Sequence, residues 1–165
     1  MRIAGLKLND CIDGEGISVS LWTQGCPHRC PGCHNPETWS FDGGYEDETN
    51  EIRGKIVKAI CANNMQRNFS ILGGEPLCEQ NKEDVLNILT SVRMAYPKIK
   101  IFLWTGYTYE ELHKNMNSPK MERILDGTYA DYLIDGRFIE AEKDTTLFMR
   151  GSRNQRIIEL PKNPK

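Results

Sequence analysis

Short apolar runs and amphipathic stretches take turns along this chain. The runs at 3–8, 17–22, 68–72, 98–104, 131–135 and 156–160 are short and apolar, and each predicts a strand. Between the third and fourth, Val85, Ile88, Leu89, Val92 and Tyr96 recur at i, i+3, i+4, i+7 and i+11, which is one apolar helix face, and Pro97 stops it. An earlier helix over about 50–63 repeats Ile52, Ile56, Ala59 and Ile60. A third opens at Thr108-Tyr109-Glu110-Glu111, a capping box in which Thr108 and Glu111 can satisfy each other's free backbone N–H. Alternating strands and helices predict an α/β fold of about five to six mostly parallel strands. A closed eight-unit barrel needs roughly 200 residues or more, so an open, partial barrel is the expected architecture.

Two segments break the alternation. Residues 26–48 are rich in Gly, Pro and Asp and carry no period, so they read as a long loop between a strand and a helix. Long loops inside compact domains tend to be functional. Residues 137–165 are weakly patterned apart from Ile157-Ile158. One domain over 1–160 is expected, with 161–165 as a frayed tail.

Composition narrows the picture. Of 165 residues, 39% are hydrophobic and 27% charged, with a net charge of −2. That balance predicts neither nucleic-acid nor membrane binding. The first ten residues lack the apolar core and cleavage site of an export signal, and the run Ile101-Phe102-Leu103-Trp104 is far too short to span a bilayer. A cytoplasmic location is expected. In a reducing compartment the six cysteines are better read as ligands or core residues than as disulfides. Cys61 falls in line with Ile56 and Ile60 and reads as a small core residue; Cys11 and Cys78 also read as structural.

The other three cysteines crowd together as Cys26-Pro27-His28-Arg29-Cys30-Pro31-Gly32-Cys33. Spacings this short let one loop wrap a compact metal centre. Three thiolates are one short of a closed iron–sulfur or zinc site. A four-iron cluster held this way leaves one iron able to take a small molecule. The competing reading is a non-catalytic zinc module completed by His28 or His34. After the third strand comes Gly73-Gly74-Glu75-Pro76. Ligands of parallel α/β sheets settle at the carboxyl ends of strands. Glycines there let backbone approach a bound molecule, and Glu75 could accept from a ligand ammonium. Taken alone, the tetrapeptide reads better as an ordinary turn, and an open-site cluster in the same chain reverses that preference.

The Cys-x3-Cys-x2-Cys loop followed by Gly-Gly-Glu-Pro resembles the radical S-adenosylmethionine enzymes. The stretch from Trp22 through Gly25, the cysteine loop and His34-Asn35-Pro36-Glu37-Thr38-Trp39, with the late Arg150-Gly151-Ser152-Arg153-Asn154-Gln155-Arg156, is similar to one group among them. That group is the activating proteins of anaerobic ribonucleoside-triphosphate reductase. Many superfamily members carry an aromatic residue before the third cysteine; here it is Gly32, as is usual in this group.

The resemblance implies a [4Fe–4S] cluster on Cys26, Cys30 and Cys33, with S-adenosylmethionine on the open iron. Gly73, Gly74 and Glu75 would position its methionine end, with Gly32, Cys33 and His34 near the adenine. Thr105, Asp135 and Arg137 are weaker candidates for ribose and carboxylate contacts. Reductive cleavage would give a 5′-deoxyadenosyl radical that takes a hydrogen from a glycine of the large subunit of the reductase. A flavodoxin-like reductant is implied, and an activase of another glycyl-radical enzyme, such as pyruvate formate-lyase, is the nearest alternative. His113 reads as solvated; Arg150, Arg153 and Arg156 could dock the partner or flank a terminal strand, and a solvated strand edge is the preferred reading.

Overall fold

The computed structural model describes residues 1–115 and 119–161. In chain order the elements are β1 (Arg2–Asp10), β2 (Ser18–Thr23), β3 (Tyr45–Glu46), α1 (Thr49–Ile60), β4 (Asn68–Gly73), α2 (Lys82–Ala95), β5 (Ile101–Trp104), α3 (Tyr109–Asn115), α4 (Pro119–Leu125), β6 (Tyr132–Asp135) and β7 (Arg156–Glu159). The strands form one open sheet in the order β3-β1-β2-β4-β5-β6-β7. Its centre, β2-β4-β5-β6, is parallel, and β1, β3 and β7 pair antiparallel at the flanks. The sheet is therefore longer than the five to six strands expected, and more mixed. The strand missed was β3, whose two residues are too few to show a period. Of the frayed tail expected at 161–165, residues 162–165 lie outside the described ones.

Residue alternation explains the layers. Val19 and Leu21, Phe69 and Ile71, Ile101 and Leu103, and Leu133 point to one face. There they meet Ile52, Ile56 and Ile60 of α1, Val85, Ile88, Leu89 and Val92 of α2, and Leu112 and Ile124 of the last two helices, all buried. Each large side chain so buried contributes about 1.5–3 kcal/mol before ordering costs are set against it. Ser18, Ser20 and Ser70 point the other way and are still fully buried. The segment after β1 covers them, and the Ser70 hydroxyl donates to the Asp13 carbonyl at 2.5 Å.

The capping box at α3 forms as its sequence requires. The Thr108 N–H donates to Glu111 Oε2 at 2.8 Å and the Glu111 N–H to Thr108 Oγ1 at 3.2 Å. Cys61 departs from expectation. Helix α1 ends at Ile60, and Cys61 caps it in a non-helical conformation with φ −113°, which turns its thiol outward and leaves it exposed. Cys11 is exposed too, whereas Cys78 is buried. His113 is exposed, as read.

Candidate active site

The segment from β2 into the cysteine loop is stapled at its base. The Gly25 N–H donates to the Thr38 carbonyl (2.8 Å) and the Cys26 N–H to that of Trp39 (3.1 Å). Gln24, 2% exposed, donates to the carbonyls of Glu37 (3.0 Å) and Ser40 (2.7 Å). Within the loop the Cys33 N–H donates to the Cys30 carbonyl at 3.1 Å. What reads in sequence as an aperiodic loop is thus ordered by its own backbone bonds. Cys26 is buried, Cys30 and Cys33 are half-buried, and all three are free thiols.

Burial pushes the Cys26 thiol up to about 11, against the backbone N–H groups of His28 and Arg29 that donate to its sulfur; nearby Glu75 and Cys30 push the same way as burial. Burial also raises the Cys30 thiol, opposed by the N–H of Phe138. Binding iron would take these protons off. Backbone donors aimed at the sulfurs are one of the ways proteins tune an iron–sulfur centre.

The Gly-Gly-Glu-Pro turn lies against this same segment. Thr23 ends β2 in register with Gly73 at the end of β4. Beyond them the Gly74 N–H donates to the Thr23 carbonyl and the Glu75 N–H to that of Gly25, both at 2.8 Å. A Cβ on Gly74 would stand 2.4 Å from the Gly25 carbonyl oxygen, and one on Gly73 2.8 Å from Thr23 backbone. The close approach that the two glycines permit is therefore to the chain's own lead-in to Cys26. Asn81, buried ahead of α2, donates to the carbonyls of Gln24 and Glu75, each at 3.0 Å.

Glu75 is wholly buried, and its carboxylate is surrounded by donors. Oε1 accepts from the Leu77 N–H (2.9 Å) and the Thr105 hydroxyl (2.8 Å). Oε2 accepts from the Gly106 N–H (2.7 Å) and faces His28 Nε2 (3.0 Å). A carboxylate offers about four lone-pair sites, and all are engaged.

Cys26, Cys30 and Cys33 line a cleft of about 340 Å³ together with Gly73, Gly74 and Glu75. That volume is within the range of small-molecule sites. His34, Thr105 and Arg137 line it as well. Gly32 stands to one side, where a Cβ would come 2.8 Å from the Glu140 carboxyl carbon. Asp135 lines a neighbouring cleft, where it accepts from the Tyr109 N–H (2.7 Å) and pairs with Arg156. Arg153 and Arg156 are exposed at the sheet edge, as read, and each late arginine also has a partner within the chain. Arg156 also pairs with Glu110, Arg153 pairs with Asp144, and Arg150 donates to the Gln155 carbonyl. Asp13, Trp104 and Phe138 also line the main cleft, and no spacing rule singled them out.

Among the described residues, no three His, Cys, Asp or Glu side chains stand close enough to hold a single metal ion. His28, one candidate fourth zinc ligand, has both ring nitrogens occupied, by Glu75 and by Arg137. Three half-exposed to buried thiols on one short loop, with N–H donors at the sulfurs of Cys26 and Cys30, suit a cluster that lacks one protein ligand.

A family model described as a 4Fe-4S single cluster domain matches residues 12–158. An anaerobic ribonucleoside-triphosphate reductase-activating protein of Salmonella typhimurium is 35% identical over 92% of this chain and 94% of its own. Relatives of the same name from Escherichia coli K12 (34%, same coverage) and Vibrio cholerae (36%, over 90% of this chain and 91% of theirs) match alike. This chain belongs to that family of activating proteins. In this chain the cysteine loop and the strand-end turn are one assembly, since Gly25 donates to the Thr38 carbonyl and accepts from the Glu75 N–H. None of its described helices is long and apolar enough to cross a membrane.

Proposed function

We propose that this chain activates an anaerobic ribonucleoside-triphosphate reductase by creating a glycyl radical on its large subunit. The observation that carries the reading is the convergence of Cys26, Cys30 and Cys33 with Gly73, Gly74 and Glu75 on one cleft. When bound, a reduced [4Fe–4S] cluster supplies the electron that cleaves S-adenosylmethionine to a 5′-deoxyadenosyl radical. The chain supplies placement and exclusion of water. Cys26, Cys30 and Cys33 hold three irons. Gly73, Gly74 and Glu75 shape the turn that receives the methionine end, and Cys33 and His34, with Gly32 behind them, take the adenine side. Thr105 and Arg137 line the same cleft, and in this reading they orient the ligand's polar groups. In this reading the open sheet is a partial barrel of the radical S-adenosylmethionine type in one domain, working in the cytoplasm with a flavodoxin-like reductant.

Anaerobic mixing of the reduced, iron-loaded protein with S-adenosylmethionine and the reductase tests the proposal. A glycine-centred doublet in electron paramagnetic resonance is expected. A doublet on pyruvate formate-lyase and none on the reductase would move the chain to another activase group. A colourless, zinc-containing protein would overturn the reading altogether.

A further inference from the structure

We infer that His28, a residue between two cysteines, is a positioning residue that locks the cysteine loop onto the strand ends receiving the second ligand. The inference deepens the proposed use of S-adenosylmethionine and rests on it.

His28 reaches out of the loop and is held from four sides. Its Nε2 lies 3.0 Å from Glu75 Oε2, on the turn after β4. Arg137, after β6, donates from Nε to Nδ1 at 3.2 Å. The Tyr107 ring, after β5, meets the imidazole edge-on with centroids 4.6 Å apart. Gly106 makes the room: a Cβ there would stand 2.4 Å from His28 Cδ2. The side chain is 7% exposed. Since Arg137 can only donate and Glu75 here only accepts, the network places the ring proton on Nε2.

These contacts do one thing together. They join the cysteine loop to the ends of β4, β5 and β6, which also supply Glu75, Thr105 and Arg137 to the cleft. A ligand that bridges the cluster and the Gly73–Glu75 turn needs those two parts at a fixed separation. Positioning errors of about 1 Å are enough to cost a large factor in such sites. Without the imidazole, Glu75 loses one of its four donors and the loop loses its only side-chain tie to that carboxylate.

The test compares wild type with H28A, H28Q and G106A, each loaded anaerobically with iron and sulfide. Iron per chain is measured, and the spectrum of the reduced protein is titrated with S-adenosylmethionine by electron paramagnetic resonance. H28A is expected to keep its cluster but need about tenfold more ligand for half-maximal spectral change, the equivalent of one lost charge-assisted hydrogen bond. G106A, which evicts the ring without altering it, is expected to behave like H28A. H28Q, whose amide N–H can reach Glu75, is expected to stay within about threefold of wild type. Wild-type titration by H28A, or an H28A protein that cannot assemble its cluster, would overturn the assignment. A wild-type cluster whose spectrum ignores S-adenosylmethionine would instead remove the functional reading beneath it.

Discussion

The Thr105 hydroxyl donates to Glu75 Oε1 across 2.8 Å inside the protein, tying the end of β5 to the turn after β4. Thr105→Val keeps the side-chain shape and deletes this donor, so a buried carboxylate is left one bond short. The expected cost is about 1–3 kcal/mol, with Thr105→Ser losing much less. Urea unfolding of the reduced, metal-free protein reads it as a lower midpoint at unchanged slope. Equal midpoints for the Val and Ser variants would show that the bond adds nothing.

The division of cysteines gives a second expectation. Cys26→Ala removes a thiol that lines the cleft, whereas Cys61→Ser changes an exposed one at the end of α1. The first should abolish cluster-dependent cleavage of S-adenosylmethionine, and the second should leave it within about twofold of wild type. Methionine released per chain, with iron content alongside, measures both. Equal losses in the two variants would mean that the ligands have been misassigned.

What the sequence made legible, and what it hid, follows from range. The apolar faces of α1 and α2 and the Thr108–Glu111 cap are local patterns, and each formed within a residue or three of its expected place. Cys26, Cys30, Cys33 and the Gly73–Glu75 turn stand out in the sequence because motif spacing is local too, and they line one cleft. The role of Gly73 and Gly74 was only half legible. Their contact is with Thr23 and Gly25, some fifty positions away, and only the parallel register of β2 and β4 brings these together. His28 was hidden for the same reason. Spacing offered it as a metal ligand, but its partners Glu75 and Arg137 belong to other strand ends. Cys61 was misread because a helical pattern does not reveal where its helix stops.

A third expectation concerns the frame below the cleft. Arg93, in the last turn of α2, donates from Nη2 to Asp131 Oδ2 at 2.5 Å, and the same oxygen accepts the Ile101 N–H at 2.8 Å. Both side chains are 13% exposed, so the pair is largely shielded from water. Asp131→Asn leaves the guanidinium without its counter-charge. A loss of about 2–4 kcal/mol is expected, short of the full cost of breaking a fully buried pair. For a chain of this size that is a fall in melting temperature of roughly 4–15 °C. A shift under about 1 °C would show that the arginine's bonds to the Pro97 and Ile99 carbonyls suffice by themselves.

The last expectation is a pH dependence with its sign fixed by Asp13. Burial, then the charge of Asp10 and the hydrogen bond the two carboxyls share, push Asp13 up to about 6, while Lys7 works weakly the other way. An unfolded Asp titrates near 3.9. Between pH about 4 and about 6 the folded chain thus holds a proton that the unfolded chain has lost. This contribution is fully present below pH about 4 and disappears as pH rises through about 6. Asp13→Asn removes the ionisation altogether. Relative to wild type, the variant should gain about 1–2 kcal/mol on going from pH 4 to pH 7.5, after allowance for solvent screening at a half-buried site. Taking the difference between the two proteins cancels the carboxylates that do not touch Asp13, and Asp10 keeps a hydrogen-bond donor in the variant's side-chain amide. Urea midpoints of both proteins at the two pH values are the measurement. A difference between them that does not change with pH would mean that Asp13 ionises as it does in the unfolded chain, and that the Asp10–Asp13 contact carries no proton.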